Sequence, residues 1–245
     1  MQAEARPGGT SAHLLVDAGT GEVLAARDEH RRFRSASLVK LLIAVDHLLP
    51  TGGEPTAADR ALLEPMLRAS DDDAANELWE RNGGPDVVLR MAAEMGLRAT
   101  APPRDPDMWG YTPITAADVV RCYRYLREQP VGEFVLTNLR AWTATAADGF
   151  DQSFGLPGGA AAELVKQGWS GFGPGPLEQP QVNGKSRRRV PDERIDLDRP
   201  AMHTSGIVRA GAGARIAAVL TLHPAGTTWD AAAERISGLA REIAG

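Results

Sequence analysis

The chain has 245 residues, 43% of them hydrophobic and 24% charged, with a formal net charge of −5 and a pI near 5.6. That composition fits a soluble globular protein with one large core or two interleaved halves, and the acidic balance gives no general attraction to nucleic acid or anionic lipid. The single cysteine, Cys122, excludes an internal disulfide and a thiolate metal cluster, and the histidines at 13, 30, 47, 203 and 223 lack ligand spacing, so neither a metal nor another cofactor is expected.

From the N-terminus, Met1 to Gly9 holds no apolar h-region, so the chain as given carries no signal peptide. It is expected to be cytoplasmic if complete, and extracytoplasmic if a leader was removed. Residues 12–27 read as a hairpin: an apolar strand to Asp17, a Gly19-Thr-Gly21 turn, and a return through Val23. Ser37 to Leu49 carries apolar residues at 38, 41, 42, 45, 48 and 49, a helical stripe whose run Leu41 to Val45 is too short to span a bilayer. Helical patterns follow at 57–69, 73–82 and 85–95, then a proline-rich irregular stretch at 100–112. Helix returns at 115–128, with Thr115 as N-cap and Cys122 on the buried side, and again at 131–142.

From Glu163 the period becomes strand-like, at 163–169, 201–209 and 214–222. Between the first two lies a Gly/Pro-rich, charged stretch, 173–199, read as a mobile loop. Its basic run, Lys185-Ser-Arg187-Arg188-Arg189, is offset by Asp192, Glu193, Asp196 and Asp198. A last amphipathic helix at 228–243 sets Trp229, Ile236, Leu239 and Ile243 along one side. The order predicts an α+β fold, an antiparallel sheet flanked by helices with an inserted all-α domain. The boundaries are 1–34 with 156–245 for the α/β part and 35–155 for the helical part.

Only three residues are lysine, against 24 arginines. Arginine is permanently protonated, whereas a desolvated lysine can accept a proton. Lys40 follows Ser37 by three residues, which places both on one helical face. Serine becomes a nucleophile only when a neighbouring base takes its proton, and an amine in a dry site can do so once burial and a second cation lower its pKa. Lys166, in Lys166-Gln167-Gly168, is the candidate second cation. Free N–H groups at the helix start would stabilise an oxyanion.

Ser37-Leu-Val-Lys40, Ser70-Asp71-Asp72 and Lys166-Gln167-Gly168 occur in the order of the Ser-x-x-Lys, Ser-Asp-Asn and Lys-Thr-Gly elements of the penicillin-recognising serine enzymes, the class A β-lactamases and D-Ala-D-Ala peptidases, which the chain resembles over most of residues 12–243. Ser70-Asp-Asp-Asp-Ala-Ala-Asn76 and the opening hairpin carry the same likeness. The resemblance implies Ser37 as acylated nucleophile, Lys40 as its base, Ser70 as proton relay, and Lys166 binding a substrate carboxylate. It places the oxyanion hole at the N–H groups of Ser37 and Trp169, and substrate contacts at Asp72, Gln167, Gly168, Trp169 and Ser170. It further implies a monomer acting on a small-molecule or short-peptide substrate, a β-lactam or D-Ala-type amide or ester.

Three departures qualify it. Asp72 stands where Asn is expected, and an extra carboxylate would raise the Lys40 pKa unless both lysines share it. Gln167 replaces Thr. The segment 100–112 offers Asp105 and Asp107 but no Glu for a deacylating water. The rival reading is a non-catalytic or specialised biosynthetic relative that binds a peptide or β-lactam-like ligand in the same cleft. A purely structural reading takes Ser37 as an ordinary cap, Lys40 as a snorkelling surface residue, Ser70-Asp71-Asp72 as a helix cap, Lys166 as an edge-strand lysine, Trp109 and Trp169 as packing residues, and Asp107 as a turn residue.

Overall fold

The computed structural model describes residues 9–172, 181–182, 185–186, 189–211 and 213–245. The chain opens with β1 (Thr10–Asp17), β2 (Val23–Arg27) and β3 (Phe33–Arg34), then a 3-10 turn at Ala36–Val39 that runs into α1 (Lys40–Leu48). Helices α2 (Ala57–Arg68), α3 (Asp72–Arg81) and α4 (Asp86–Glu94) follow. After a short 3-10 turn, Trp109–Tyr111, come β4 (Pro113–Ile114), α5 (Ala116–Glu128), α6 (Gly132–Arg140) and the single-turn α7 (Leu156–Gly159). The C-terminal part contains β5 (Ala162–Ser170), β6 (Gln181–Val182), β7 (Lys185–Ser186), β8 (Ala201–Ala210), β9 (Gly213–Leu222) and α8 (Trp229–Ala244).

The helix starts are set by side chains that satisfy orphan N–H groups. Thr56 and Asp59 form a reciprocal capping box on α2, while Asp71, Thr115 and Thr228 cap α3, α5 and α8. The predicted hairpin turns on Asp17, whose carboxylate accepts from Gly19 N at 2.9 Å and Thr20 N at 2.8 Å.

Five strands form one antiparallel sheet in the order β2-β1-β9-β8-β5. The sequence-first strand β1 therefore sits beside the sequence-last strand β9, with Thr10 opposite Leu222. Alternate residues serve two faces. Leu14, Val16, Ile216, Ala218 and Leu220 join the core built by α1, α2 and α5, while Leu15, Ala217, Val219 and Val208 face α7 and α8. Burial on both faces explains why Ile216 to Leu222 is almost continuously apolar. On α8, Ala232, Ile236 and Ala240 are buried, with Trp229, Leu239 and Ile243 packed partly against the core. Cys122 on α5 is buried as its periodicity requires.

Three features differ from the expected pattern. The stripe from Ser37 is a 3-10 turn before it becomes α1, because Ala36 takes φ 45° and Leu38 N closes back on Ser35 O at 3.1 Å. The irregular 100–112 segment ends in β4, which pairs with β3 through Phe33–Ile114 and Arg34–Pro113. Within 173–199, the pieces β6 and β7 pair with each other, and Arg189 is held by Asp198 Oδ1 at 3.0 Å and Leu197 O at 2.6 Å. The rest of the expected loop, 173–180, 183–184 and 187–188 with Arg187 and Arg188, lies outside the described residues, as does the N-terminal stretch 1–8. No helix among the described residues is long and apolar enough to cross a membrane.

Candidate active site

The 3-10 turn places Ser37 one tight turn before Lys40, the first residue of α1, so their side chains stack. Lys40 Nζ lies 3.0 Å from Ser37 Oγ, 2.6 Å from Ser70 O and 2.5 Å from Asp72 Oδ1. Ser70 occupies the link between α2 and α3 with φ 59°, a left-handed conformation uncommon for a non-glycine residue. This conformation turns both its carbonyl and its hydroxyl toward the lysines: Ser70 Oγ is 3.4 Å from Lys40 Nζ and 2.7 Å from Lys166 Nζ. Backbone outliers at Ala36 and Ser70 thus flank the cluster, held by the packing around them.

Lys166 reaches the cluster from the middle of β5. The close approach of β5 to the turn is possible because residue 168 is glycine. A Cβ there would stand 3.2 Å from Ser35 O and Ser37 N and 3.3 Å from Leu38 N. β5 is the last strand of the sheet, so its outer edge borders the cleft. The Trp109 ring lies 4.9 Å from Lys40 Nζ in a cation–π arrangement and is held by its indole N–H donating to Asn76 Oδ1 at 2.8 Å.

Both amines are dry. Lys40 and Lys166 are 0% and 1% exposed, while the Asp72 side chain is 64% exposed. Burial holds the Lys40 amine below the ordinary lysine value, and Asp72 pulls it back up. Lys166 is driven well below that value, first by burial and then by the neighbouring Lys40, with Asp72 and Asp148 opposing. Behind Lys166, Ser205 Oγ donates to its carbonyl at 3.0 Å and lies 3.1 Å from the Tyr123 hydroxyl, whose ionisation burial pushes up.

The remaining predicted contacts have other partners. Gln167 points away from the lysines, and its amide nitrogen donates to Gln152 O at 3.0 Å and Phe154 O at 2.5 Å. Both N–H bonds of this amide are therefore committed to the 152–154 loop. Trp169 donates through Nε1 to Asp148 Oδ2 at 3.1 Å and packs edge-on against Phe154 and Trp229. Ser170 Oγ accepts from Arg34 Nε at 2.5 Å. Asp105 is buried in its own loop, where its Oδ1 accepts from Asp107 N at 3.4 Å.

Sequence reasoning overlooked Arg34. Its guanidinium also donates to Asp196 O and Arg199 O, both at 2.6 Å, which fastens the end of β5 to the 196–199 segment, and burial lowers its pKa to about 10. It also overlooked Asp148 and His203; the latter spans the sheet with Nε2–H donating to Arg34 O at 2.9 Å and Nδ1 accepting from Thr221 N at 3.2 Å. Position next to the Ser37 motif was the one available signal for Arg34. Asp148 and His203 carry none.

The chain shares the fold of the penicillin-recognising serine enzymes. A β-lactamase from Xanthomonas campestris superposes with a TM-score of 0.70 at 18% identity, covering 98% of this chain and 93% of that one. PBP-A gives a TM-score of 0.69 at 17% identity over 98% and 90% of the two chains. The class A β-lactamase of Mycobacterium abscessus gives 0.67 at 18% identity over 96% and 92%. In sequence, the chain is 38% identical over 173 residues to a protein of Mycobacterium tuberculosis and Mycobacterium bovis named "Putative lipoprotein LppW". That match covers 66% of this chain and 54% of the relative, so the chain spans about half the length of the curated relatives it matches. No protein-family model matches the chain.

Proposed function

We propose that the protein is a serine acyl-enzyme hydrolase or acyltransferase of the β-lactamase and penicillin-binding type, acting as a monomer on an amide or ester. The observation that carries this reading is the buried run of contacts from Ser37 Oγ through Lys40 Nζ to Ser70 Oγ and Lys166 Nζ, with links of 3.0, 3.4 and 2.7 Å. Ser37 Oγ attacks the acyl carbon, Lys40 takes its proton, and Ser70 returns a proton to the leaving group. The backbone N–H groups of Ser37 and Trp169 receive the oxyanion. An extended substrate lies along the open edge of β5 beyond Gly168. An extracytoplasmic site of action belongs to the same proposal, supported by the likeness to the mycobacterial protein named a lipoprotein.

The segment 100–112 supplies no Glu to activate water, so acylation outpaces deacylation. Intact-mass spectrometry after exposure to a penicillin and to an activated ester tests this. A covalent adduct on Ser37 that persists for minutes, and that Ser37→Ala abolishes without loss of fold, is the expected result. A second reading, a binder without chemistry, is favoured by the 2.5 Å contact that ties Lys40 to Asp72. It predicts reversible binding and no adduct with any reagent, which would replace the first reading.

A further inference from the structure

Two buried amines here share one hydroxyl, and among the described residues one carboxylate, Asp72, touches only the first of them, Lys40. Asp72 Oδ1 is 2.5 Å from Lys40 Nζ, while the hydrogen bond described for Lys166 Nζ is to Ser70 Oγ at 2.7 Å. A second ammonium at a fully buried position without a contacting carboxylate would be an uncompensated charge. We propose that Asp72 keeps Lys40 as the ammonium and leaves Lys166 a neutral amine, which makes Lys166 the terminal proton store of the site and selects substrates whose leaving group bears no carboxylate. The substrate preference rests on the acyl-enzyme reading; the charge assignment does not.

The donors fit this assignment. An ammonium at Lys40 has three N–H bonds for Ser37 Oγ, Ser70 O and Asp72 Oδ1, at 3.0, 2.6 and 2.5 Å. Two of these partners only accept, so when Lys40 gives up one proton its remaining N–H bonds stay on them and its lone pair faces Ser37. In the acylation step Lys40 first hands a proton to Ser70 Oγ as the Ser70 proton passes to the neutral Lys166. Ser37 Oγ then bonds to the acyl carbon as its proton goes to the lone pair so exposed on Lys40. The charge moves from Ser37 to the oxyanion, Lys40 ends as it began, and Lys166 becomes the ammonium. When the bond to the leaving group breaks, that proton returns through Ser70 to the departing atom.

The charged groups facing the amines are Asp72 and Asp71 at the start of α3 and Asp148 from the loop between α6 and α7. From α5, Tyr123 contributes a neutral hydroxyl. A ligand carboxylate beside Ser70 thus meets a neutral amine, an ammonium at Lys40 whose charge Asp72 already offsets, and the further carboxylate of Asp148, so no free cation among the described residues balances it, whereas an uncharged ester or amide meets no such penalty.

With three lysines in the chain, isotope-labelled lysine yields a separable Nζ resonance for each, assigned with Lys185→Arg and Lys166→Met. At neutral pH the expected spectrum has Lys40 as ammonium and Lys166 as amine. Asp72→Glu keeps that pattern and Asp72→Asn moves the charge off Lys40. An ammonium at Lys166 in the native protein, or no change in Asp72→Asn, overturns the charge assignment. Acylation rates for two activated esters, identical save for a carboxylate on the leaving group, test the preference. The uncharged ester is expected to react about tenfold faster or more, a ratio that falls in Asp72→Asn. Equal rates overturn the preference. Failure of both esters to acylate Ser37 overturns the acyl-enzyme reading together with the preference, while the lysine spectra still decide the charges.

Discussion

At the scale of single residues, Gln167 is where sequence and structure part most clearly. In the sequence it replaces a threonine hydroxyl that would face a ligand; in the fold its longer side chain crosses to Gln152 O and Phe154 O. A threonine cannot reach those carbonyls. Gln167→Thr, which restores the expected motif, should leave both unpaired and lower stability by about 2 kcal/mol. Urea denaturation with an unchanged slope checks this, and a variant of native stability would show the amide to be dispensable. Ser37, Lys40, Ser70 and Lys166 were legible because their spacing is local to three short motifs and because lysine is scarce. Arg34 and Asp148 were not, nor was the pairing of Trp109 with Lys40 and Asn76, since each acts across the fold on a partner that no local pattern predicts.

At the scale of elements, periodicity located the helices α2 to α6 and α8 to within a few residues, because each has one apolar face and most have a capping side chain. The β3–β4 pairing escaped, as two-residue strands have no period to detect. The 3-10 turn escaped for a different reason, since it depends on the backbone of Ala36 and on β5 pressing against it. That contact yields a prediction. Gly168→Ala places a methyl group 3.2 Å from Ser37 N, so the turn or the strand must shift by a few tenths of an ångström. Acylation of Ser37 should slow by about tenfold or more, the sensitivity expected of a misplaced reacting group, while the melting temperature changes little. Native acylation by Gly168→Ala would show that the approach of β5 does not position the nucleophile.

At the scale of the whole molecule, the buried His203 links sheet and site. Burial lowers its pKa from 6.5 to about 3, and both ring nitrogens are used in the neutral form. Between those values the unfolded chain holds a proton that the folded chain does not, so stability rises with pH through this window. It is complete above 6.5 and is lost as pH falls toward about 3. The slope from this one group approaches about 1.4 kcal/mol per pH unit, read as urea midpoints across weakly acidic pH, and His203→Gln should flatten it. A slope unaffected by that substitution would assign the acid sensitivity elsewhere. The sheet order adds a consequence in time. Because β9 lies between β1 and β8, a ribosome that has released the hairpin, the helices and even β8 has made two unjoined ribbons, β2-β1 and β5-β8. Until Gly213–Leu222 emerges there is no continuous platform to hold Lys166 against Ser70. Synthesis itself therefore withholds the Ser70–Lys166 contact until β9 has left the ribosome.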